Sequence, residues 1–230
     1  MILKKNITPA EFDKLIQAES INCASIYYPI CPNYPFNQSE EEAAKHFQSI
    51  IELLQLEMQS QGLCSSTILN IISLLTPLTQ ASFFKEQHEW IGKTLVVFSD
   101  EIHVNCYLVD KKLEPYAHIT NNYYVLPLFE LLNTPKKVRT RKRVATSALT
   151  IDSLDKIIPL AFEKKIETLC LSLKNSVYGV YDEINKTVLI DNYISYHNMS
   201  LFNLAAIATY LNGGKVSIIE EDAMIHAELR

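Results

Sequence analysis

The feature that most constrains this chain is a strongly basic segment that follows Pro135. Six of the eight residues from Lys136 to Arg143 are basic, and small polar residues come after them. That composition is typical of a linker or an exposed loop, so we place the domain boundary there. The predicted organisation is an N-terminal domain at 1–134, a basic linker at 135–150 and a C-terminal domain at 151–230.

The composition favours a folded, cytoplasmic protein. Hydrophobic residues make up 48% of the chain, which is ample for a packed core, and the net charge is −5. Charge appears within the first five residues, so no signal-peptide core is expected. The uncharged stretch from Met58 to Phe84 contains Asn70 and Pro77, so we interpret it as buried helices and not as a membrane span.

The cysteines argue against a disulfide framework and against a zinc site. They are odd in number and scattered, with no C-x-x-C spacing, which suits a reducing compartment. His88 and His197 have no second partner at metal-ligand spacing. The sequence therefore predicts neither a metal nor a cofactor. The five cysteines are Cys23, Cys31, Cys64, Cys106 and Cys170.

Capping signals and apolar periodicity define the elements of the N-terminal part. Capping boxes at Thr8 and Ser39 predict helices that end near residues 19 and 62, and helical spacing predicts another helix at 65–75. Strand-favouring residues predict a mixed sheet. Its strands are expected at 23–28, 94–100, 102–110 and about 114–119, with Ile102, Val104, Cys106 and Leu108 on one face.

The C-terminal part alternates helices with short buried strands, the pattern of a small α/β sandwich. Pro159 kinks the first helix or delays its start. The helix at 199–212 is strongly amphipathic, with Leu201, Leu204, Ala208 and Leu211 predicted to face inward. Strands are predicted at 166–173, 176–182, 186–193, 215–220 and 225–229. The predicted class of the whole chain is α/β.

Gly213 and Gly214 stand between this helix and the strand that follows it. A phosphate-binding loop needs a strand before its glycines and a helix N-terminus after them. Here the order is the opposite, so the helix dipole is wrong for an anion. Glycine after the last helical turn predicts a left-handed helix cap instead.

Several segments resemble a known family. The run from Ile166 to Leu171, the run from Thr209 to Val216, and the terminal Ala227-Glu228-Leu229-Arg230 resemble the C-terminal domain of bacterial relatives of the archaeal and eukaryotic class-1 peptide-chain release factors. In the N-terminal part, "NCASIYYPICPN", the helix holding Phe84, Gln87 and Trp90, and "NNYYVLPLFELL" resemble that family in order and spacing. The resemblance implies an α-β-α C-terminal domain with the fold of kink-turn-binding ribosomal proteins.

The chain also departs from the family. Members carry a middle domain between the two matching parts, and release factors hold their catalytic Gly-Gly-Gln loop there. In this chain only about 17 residues separate the two parts, so that domain looks absent. The only Gly-Gly precedes Lys215, and no Asn-Ile-Lys-Ser motif for stop codons is present. Neither peptidyl-tRNA hydrolysis nor codon recognition can therefore be transferred to it.

The expected function is a non-catalytic, translation-associated factor that binds the ribosome or structured RNA. Hibernation, rescue or inhibition of translation would follow from its occupying a tRNA-like site. A cationic segment on an acidic chain suits contacts to rRNA or tRNA phosphates without sequence recognition, although a solvated linker is the plain alternative. The predicted RNA-binding residues are Lys136, Lys137, Arg139, Arg141, Lys142 and Arg143.

A few further residues could form a functional site or have ordinary structural roles. Tyr27, Tyr28 and Tyr34 are candidates for stacking on bases, with ordinary packing as the alternative. His103 and Cys106 lie three residues apart, which on a strand puts them on opposite faces and argues against a catalytic pair. Two other functions remain open. One is an RNA- or tRNA-processing hydrolase with an unidentified active site, and the other is a protein-interaction module using part of the Met58–Phe84 stretch.

Overall fold

The structure is a computed structural model that describes residues 3–18, 20–31, 39–132, 150–174, 176–219 and 225–230. The chain forms two compact units. The first comprises Met1–Tyr123 with Ile194–His197, and the second comprises Tyr124–Tyr193 with Asn198–Arg230. Residues 124–132, which were assigned to the N-terminal domain, thus belong to the second unit. The predicted linker lies outside the described residues except for Thr150, which begins a short strand.

The first unit contains a five-stranded mixed sheet. Its order is β1-β4-β3-β2-β5, with β1 parallel to β4 and the other pairs antiparallel. The mixed sheet expected from the sequence is confirmed, although β1 was not predicted. The strands are β1 (Leu3–Lys5), β2 (Cys23–Pro29), β3 (Thr94–Ser99), β4 (Val104–Val109) and β5 (Tyr116–Thr120).

Three α-helices accompany this sheet: α1 (Pro9–Ile16), α2 (Glu40–Ser60) and α3 (Ser65–Leu75). The capping box of α1 is confirmed, since the Thr8 side chain accepts from the backbone N–H of Glu11 while Glu11 accepts from Thr8. The second box is wrong in detail. The Ser39 side chain makes no capping hydrogen bond, although α2 begins where predicted. Three short 3-10 turns follow α3, at Thr76–Thr79, Ala81–Phe84 and Gln87–Trp90.

Both faces of the first sheet are packed. On one face, Ile26, Val97 and Cys106 join Phe47 and Leu54 of α2 in one hydrophobic cluster. The other face carries an aromatic layer centred on Phe98. Its ring centroid lies 6.0 Å from that of Tyr27, 6.4 Å from Tyr107 and 5.2 Å from Tyr123. Because both faces pack, β3 is buried at all six positions.

The second unit contains two sheets, one of four strands in the order β11-β7-β12-β6 and one of three strands in the order β10-β8-β9. The first of these is also mixed, because β11 is parallel to β7 while β12 is antiparallel to both its neighbours. The elements in chain order are α4 (Phe129–Leu132), β6 (Thr150–Ile151), α5 (Leu154–Phe162), β7 (Ile166–Ser172), β8 (Tyr178–Asp182), β9 (Thr187–Asp191), β10 (Met199–Ser200), α6 (Leu201–Leu211), β11 (Lys215–Ile219) and β12 (Ile225–Leu229). With sheets and helices in both units, the predicted α/β class is confirmed.

Helices α5 and α6 pack against each other and against β7. The inward set predicted for α6 is partly wrong. Leu201 and Ala208 are buried and Leu204 is partly buried, but Leu211 is 48% exposed because it lies in the last turn. The predicted cap beyond this helix is confirmed. Gly213 has a φ of 76°, and the Gly214 N–H donates to the Thr209 carbonyl at 2.8 Å.

The uncharged stretch from Met58 to Phe84 forms the end of α2, α3 and two of the 3-10 turns. Several of its side chains, such as Ile71, Leu75 and Phe84, are fully buried. In the part of the chain that the structure describes, no helix is both long enough and apolar enough to cross a membrane.

Candidate functional site

The residues predicted to bind RNA phosphates lie outside the described part of the chain. This holds for Lys136, Lys137, Arg139, Arg141, Lys142 and Arg143, and also for Tyr34 among the base-stacking candidates. Their roles therefore stay predictions.

The other two base-stacking candidates are core residues. Tyr27 is 2% exposed and lies among Phe98 and Tyr116, while Tyr28 is 3% exposed. The Tyr28 hydroxyl lies 2.7 Å from His46 Nδ1, and its ring packs on Phe47. Stacking on a base needs an accessible ring face. Neither tyrosine presents one, because strand β2 is buried on both sides, so the packing alternative is the one observed.

A polar pocket of about 410 Å³ lies in the first unit, between α1 and the strands β1 and β4. Its lining combines charged, aromatic and apolar side chains from four places in the sequence. The turn after β3 contributes Asp100 and His103, and Tyr123 lies beyond β5. The remaining lining residues are Lys4, Glu11, Lys14, Leu15, Ala18, Asn105 and Tyr107.

Asp100 organises one end of this pocket. Its carboxylate accepts hydrogen bonds from the backbone N–H groups of Ile102 at 2.7 Å and His103 at 2.6 Å, and from the Tyr123 hydroxyl at 3.0 Å. Burial raises the pKa of Asp100, but these hydrogen bonds outweigh it, so the pKa is lowered overall. The same carboxylate lies 3.5 Å from Nδ1 of His103, whose side chain is 69% exposed.

A second set of interactions organises the other end. Lys4 Nζ contacts Glu11 Oε1 at 2.8 Å and lies 5.5 Å from the centroid of the Tyr107 ring. The hydrogen bonds from Lys4 and Thr8 lower the pKa of Glu11 to about 2. Burial raises the pKa of Tyr107 to about 12, so its phenol stays protonated at neutral pH.

The structure separates His103 from Cys106, as the strand geometry predicted. Cys106 is 1% exposed and belongs to the hydrophobic cluster on the far face of the sheet. Burial raises the pKa of its thiol to about 12, which keeps it unreactive at neutral pH. One detail of that prediction is wrong. Ile102 does not share the buried face, because it lies in the turn before β4 and is 75% exposed.

Sequence reasoning missed the partnership of His103 with Asp100. The signal was present, since Asp100 was predicted to end a strand and His103 follows it across a tight turn. No comparable feature of the sequence indicated that Lys4 would line the pocket. It enters the pocket because β1 pairs in parallel with β4, which places Lys4 opposite Tyr107 across more than a hundred residues of sequence.

The polar groups of the described residues do not form an evident metal site. No group of three or more histidine, cysteine, aspartate or glutamate residues within the described ranges is placed to hold an ion. None of the five cysteines, all of which are described, forms a disulfide. The chemistry of the pocket is therefore that of ammonium, imidazole, amide, phenol and carboxylate groups.

Comparison with known proteins assigns no family. No protein-family model matches this chain, and no curated protein matches it either.

Proposed function

We propose that this protein is a non-catalytic, translation-associated factor that binds the ribosome or structured RNA through phosphate contacts. One observation carries the proposal, the concentration of six basic residues within positions 136–143. The remaining 15 basic and 26 acidic residues give the rest of the chain a net charge of about −11. A polyanion would be repelled by most of this chain and attracted by that one segment.

Three of the described lysines already have carboxylate partners within the protein. Lys165 and Lys186 both contact the Glu163 carboxylate, and Lys4 is paired with Glu11. Charges neutralised in this way contribute little to binding an external polyanion. Only three acidic residues lie within 15 positions on either side of the segment at 136–143, namely Glu130, Asp152 and Asp155, so its six positive charges are only partly offset nearby in the sequence.

The resemblance to release-factor-like proteins supplies the translational setting of the proposal. Because the chain has no Gly-Gly-Gln and no counterpart of the middle domain between its two matching parts, the proposed mechanism is positional. Two folded units dock, and the basic segment holds rRNA or tRNA phosphates. Hibernation, rescue or inhibition of translation would be the consequence of occupying a tRNA-like site.

Cosedimentation with purified ribosomes tests this proposal. The native chain is compared with a variant in which the six basic residues at 136–143 are changed to glutamine, at low and at moderate salt. We expect salt-sensitive binding by the native chain and loss of binding by the variant. The proposal fails if the native chain does not sediment with ribosomes even at low salt.

A matched variant separates local charge from total charge. It changes six exposed lysines elsewhere to glutamine and therefore has the same net charge as the first variant. We expect it to keep most of the binding, whereas equal loss in both variants would indicate unspecific attraction. The six lysines are Lys5, Lys45, Lys85, Lys112, Lys156 and Lys215.

The pocket around Asp100 and His103 favours a second candidate function, an RNA- or tRNA-processing hydrolase. An exposed imidazole beside a carboxylate is an arrangement suited to general acid–base catalysis. Incubation with labelled tRNA distinguishes this function from binding alone. Cleavage products that disappear in the variant His103→Gln support the hydrolase, and intact tRNA with the native chain rules it out for that substrate.

An uncharged groove lined by both polar and apolar residues favours a third candidate, a protein-interaction module. The groove lies between α2 and α3, has a volume of about 430 Å³, and is lined by uncharged residues that include Gln55, Leu63 and Ile72. Leu69 at its rim is 68% exposed. Such a groove suits the apolar face of a partner helix. If the protein binds ribosomes through this groove, Leu69→Gln should abolish cosedimentation with ribosomes. The variant neutralised at 136–143 should then still cosediment.

A further inference from the structure

The acidic groups of the polar pocket are already engaged within the protein. Asp100 Oδ1 accepts two backbone N–H groups, and Asp100 Oδ2 accepts the Tyr123 hydroxyl. Glu11 Oε1 contacts Lys4, and Glu11 Oε2 accepts the N–H and the hydroxyl of Thr8. A cationic ligand would have to displace these bonds, and the displacement would leave buried or capping groups without partners.

In contrast to the carboxylates, the hydrogen-bond donors of the pocket are largely unengaged. No hydrogen bond or ion pair joins the side chains of Lys14 and Asn105 to any other described residue. The Lys4 ammonium has three donor positions, of which the contact with Glu11 uses one. The His103 ring is mostly exposed and adds a further nitrogen. The chemistry left for a ligand is therefore that of hydrogen-bond donors with positive charge.

The rest of the pocket is apolar. Leu15 of α1 and Ala18 just beyond that helix line one side, and the Tyr107 ring lies on the sheet side. A volume of about 410 Å³ falls within the range of roughly 300–1,000 Å³ that is usual for small-molecule sites. It is far larger than an inorganic anion needs, so the fitting ligand has an anionic head and an organic body.

We infer that this pocket binds a phosphate monoester, with Lys14 and His103 holding the phosphate group. Phosphate suits these residues because lysine binds it as a compact point charge, without the paired planar geometry that arginine offers to carboxylates. Asn105 donates to a polar group of the ligand body, and Leu15 and Ala18 contact its apolar part. This inference goes beyond the proposed function and does not depend on it, because the pocket contains none of the residues at 136–143.

Titration calorimetry with three probes tests the inference. Phenyl phosphate combines the head group with an apolar body, inorganic phosphate lacks the body, and phenol lacks the head group. We expect phenyl phosphate to bind, inorganic phosphate to bind more weakly and phenol not to bind. The inference is overturned if phenyl phosphate does not bind or if phenol binds equally well.

Variants assign the binding to this pocket. Lys14→Gln and His103→Gln each remove one nitrogen that would contact the phosphate group and should weaken phenyl phosphate binding about tenfold. Lys112→Gln removes an exposed lysine outside the pocket and should leave the affinity unchanged. Equal weakening by all three variants would mean unspecific attraction and would reject the site. Both pocket residues lie at the surface, so thermal melting should show that the variants remain folded.

The phosphate group can belong to a free metabolite or to the 5′ end of an RNA, and a second comparison distinguishes them. Adenosine 5′-monophosphate is compared with a short oligoribonucleotide with and without a 5′-phosphate. Tighter binding of the phosphorylated oligonucleotide, lost in Lys14→Gln, assigns the site to RNA ends. Equal or tighter binding of the mononucleotide assigns it to a small molecule. If the variant neutralised at 136–143 loses ribosomes but keeps phenyl phosphate, the pocket acts independently of the basic segment.

Discussion

Strand β3 of the first unit and strand β7 of the second show two different environments for a central strand. Every residue of β3 from Thr94 to Ser99 is buried. In β7, Leu169 and Leu171 are fully buried, while Thr168 and Cys170, which alternate with them, are only partly covered. The first sheet therefore depends on packing at both faces, and the second mainly on the face that contacts α5 and α6. Substitutions in β3 should therefore lower the free energy of unfolding more than substitutions on the partly covered face of β7.

The largest effect is expected at the aromatic layer of the first unit. Phe98→Ala removes a side chain that is 0% exposed and contacts three other rings. We expect the free energy of unfolding to fall by about 3–5 kcal/mol, because large-to-small changes leave a cavity. Chemical denaturation followed by circular dichroism measures it. A loss below about 1 kcal/mol would mean that the second face of this sheet is not a true packing surface.

A smaller effect is expected at the two hairpin turns that follow β3 and β8. Asp100 and Asp182 each accept two backbone N–H groups of the turn, but Asp100 is buried and Asp182 is only half-buried. Asp100→Asn should cost about 1.5–3 kcal/mol at neutral pH, since it weakens hydrogen bonds to a charged group. Asp182→Asn is the matched control and should cost clearly less.

The pH dependence of stability sharpens this comparison. The folded-state pKa of Asp100 is lowered from its usual value of 3.8, so its ionised form stabilises the fold above about that pH. The contribution is lost as the pH falls through the lowered pKa. Asp100→Asn should therefore flatten the decline of the unfolding free energy in acid below about pH 4. Denaturation midpoints measured from pH 7 to pH 2 test this, and an unchanged acid profile would contradict it.

Two helix-ending glycines extend the comparison to local backbone geometry. A Cβ at Gly214 in the second unit would lie 2.6 Å from Thr209 Cγ2 and 2.8 Å from the Ile166 carbonyl oxygen. Gly214→Ala should cost about 1–3 kcal/mol through this crowding. At Gly62 in the first unit nothing lies within 4 Å, but φ is 80°. Gly62→Ala should lower the free energy of unfolding by roughly 1 kcal/mol, which is the cost of holding alanine in the left-handed conformation. Thermal unfolding of both variants gives the order, and a larger loss at Gly62 would reverse it.

The smallest effect is expected on the polar face of β7. Thr168→Ala should change the unfolding free energy by no more than about 0.5 kcal/mol, because the side chain is partly exposed and makes no hydrogen bond with another side chain of the described residues. Denaturation under the conditions used for Phe98→Ala measures it. A loss above about 1.5 kcal/mol would show that this face of the sheet is packed as tightly as the other.

Local signals in the sequence predicted local structure well. The Thr8–Glu11 capping box, the Gly213 helix cap and the helix at 65–75 all form as expected, because each depends on residues within one or two turns. The polar pocket could not be predicted in the same way. Lys4 reaches it through the pairing of β1 with β4, and three residues give no periodicity by which such a strand can be recognised.

The candidate site shows the same division between features set by nearby residues and features set by distant ones. In the sequence His103 and Cys106 share one strand-like segment, but the observed partner of His103 is Asp100 across the turn. Tyr27 and Tyr28 resembled exposed stacking residues because they precede a proline-rich loop, yet strand β2 is covered on both faces. Whether a strand is covered on one face or on two depends on elements far away in the sequence, such as α1 and α2.

The most direct test of the central claim is the salt dependence of binding to a structured RNA, with tRNA as the probe. If the six basic residues at 136–143 contact phosphates, the plot of log affinity against log salt should have a slope of about −4 to −5. The glutamine variant of that segment should bind weakly with a slope near zero, and the variant of six other lysines should keep the native slope. Equal slopes for the native chain and the 136–143 variant would contradict the account.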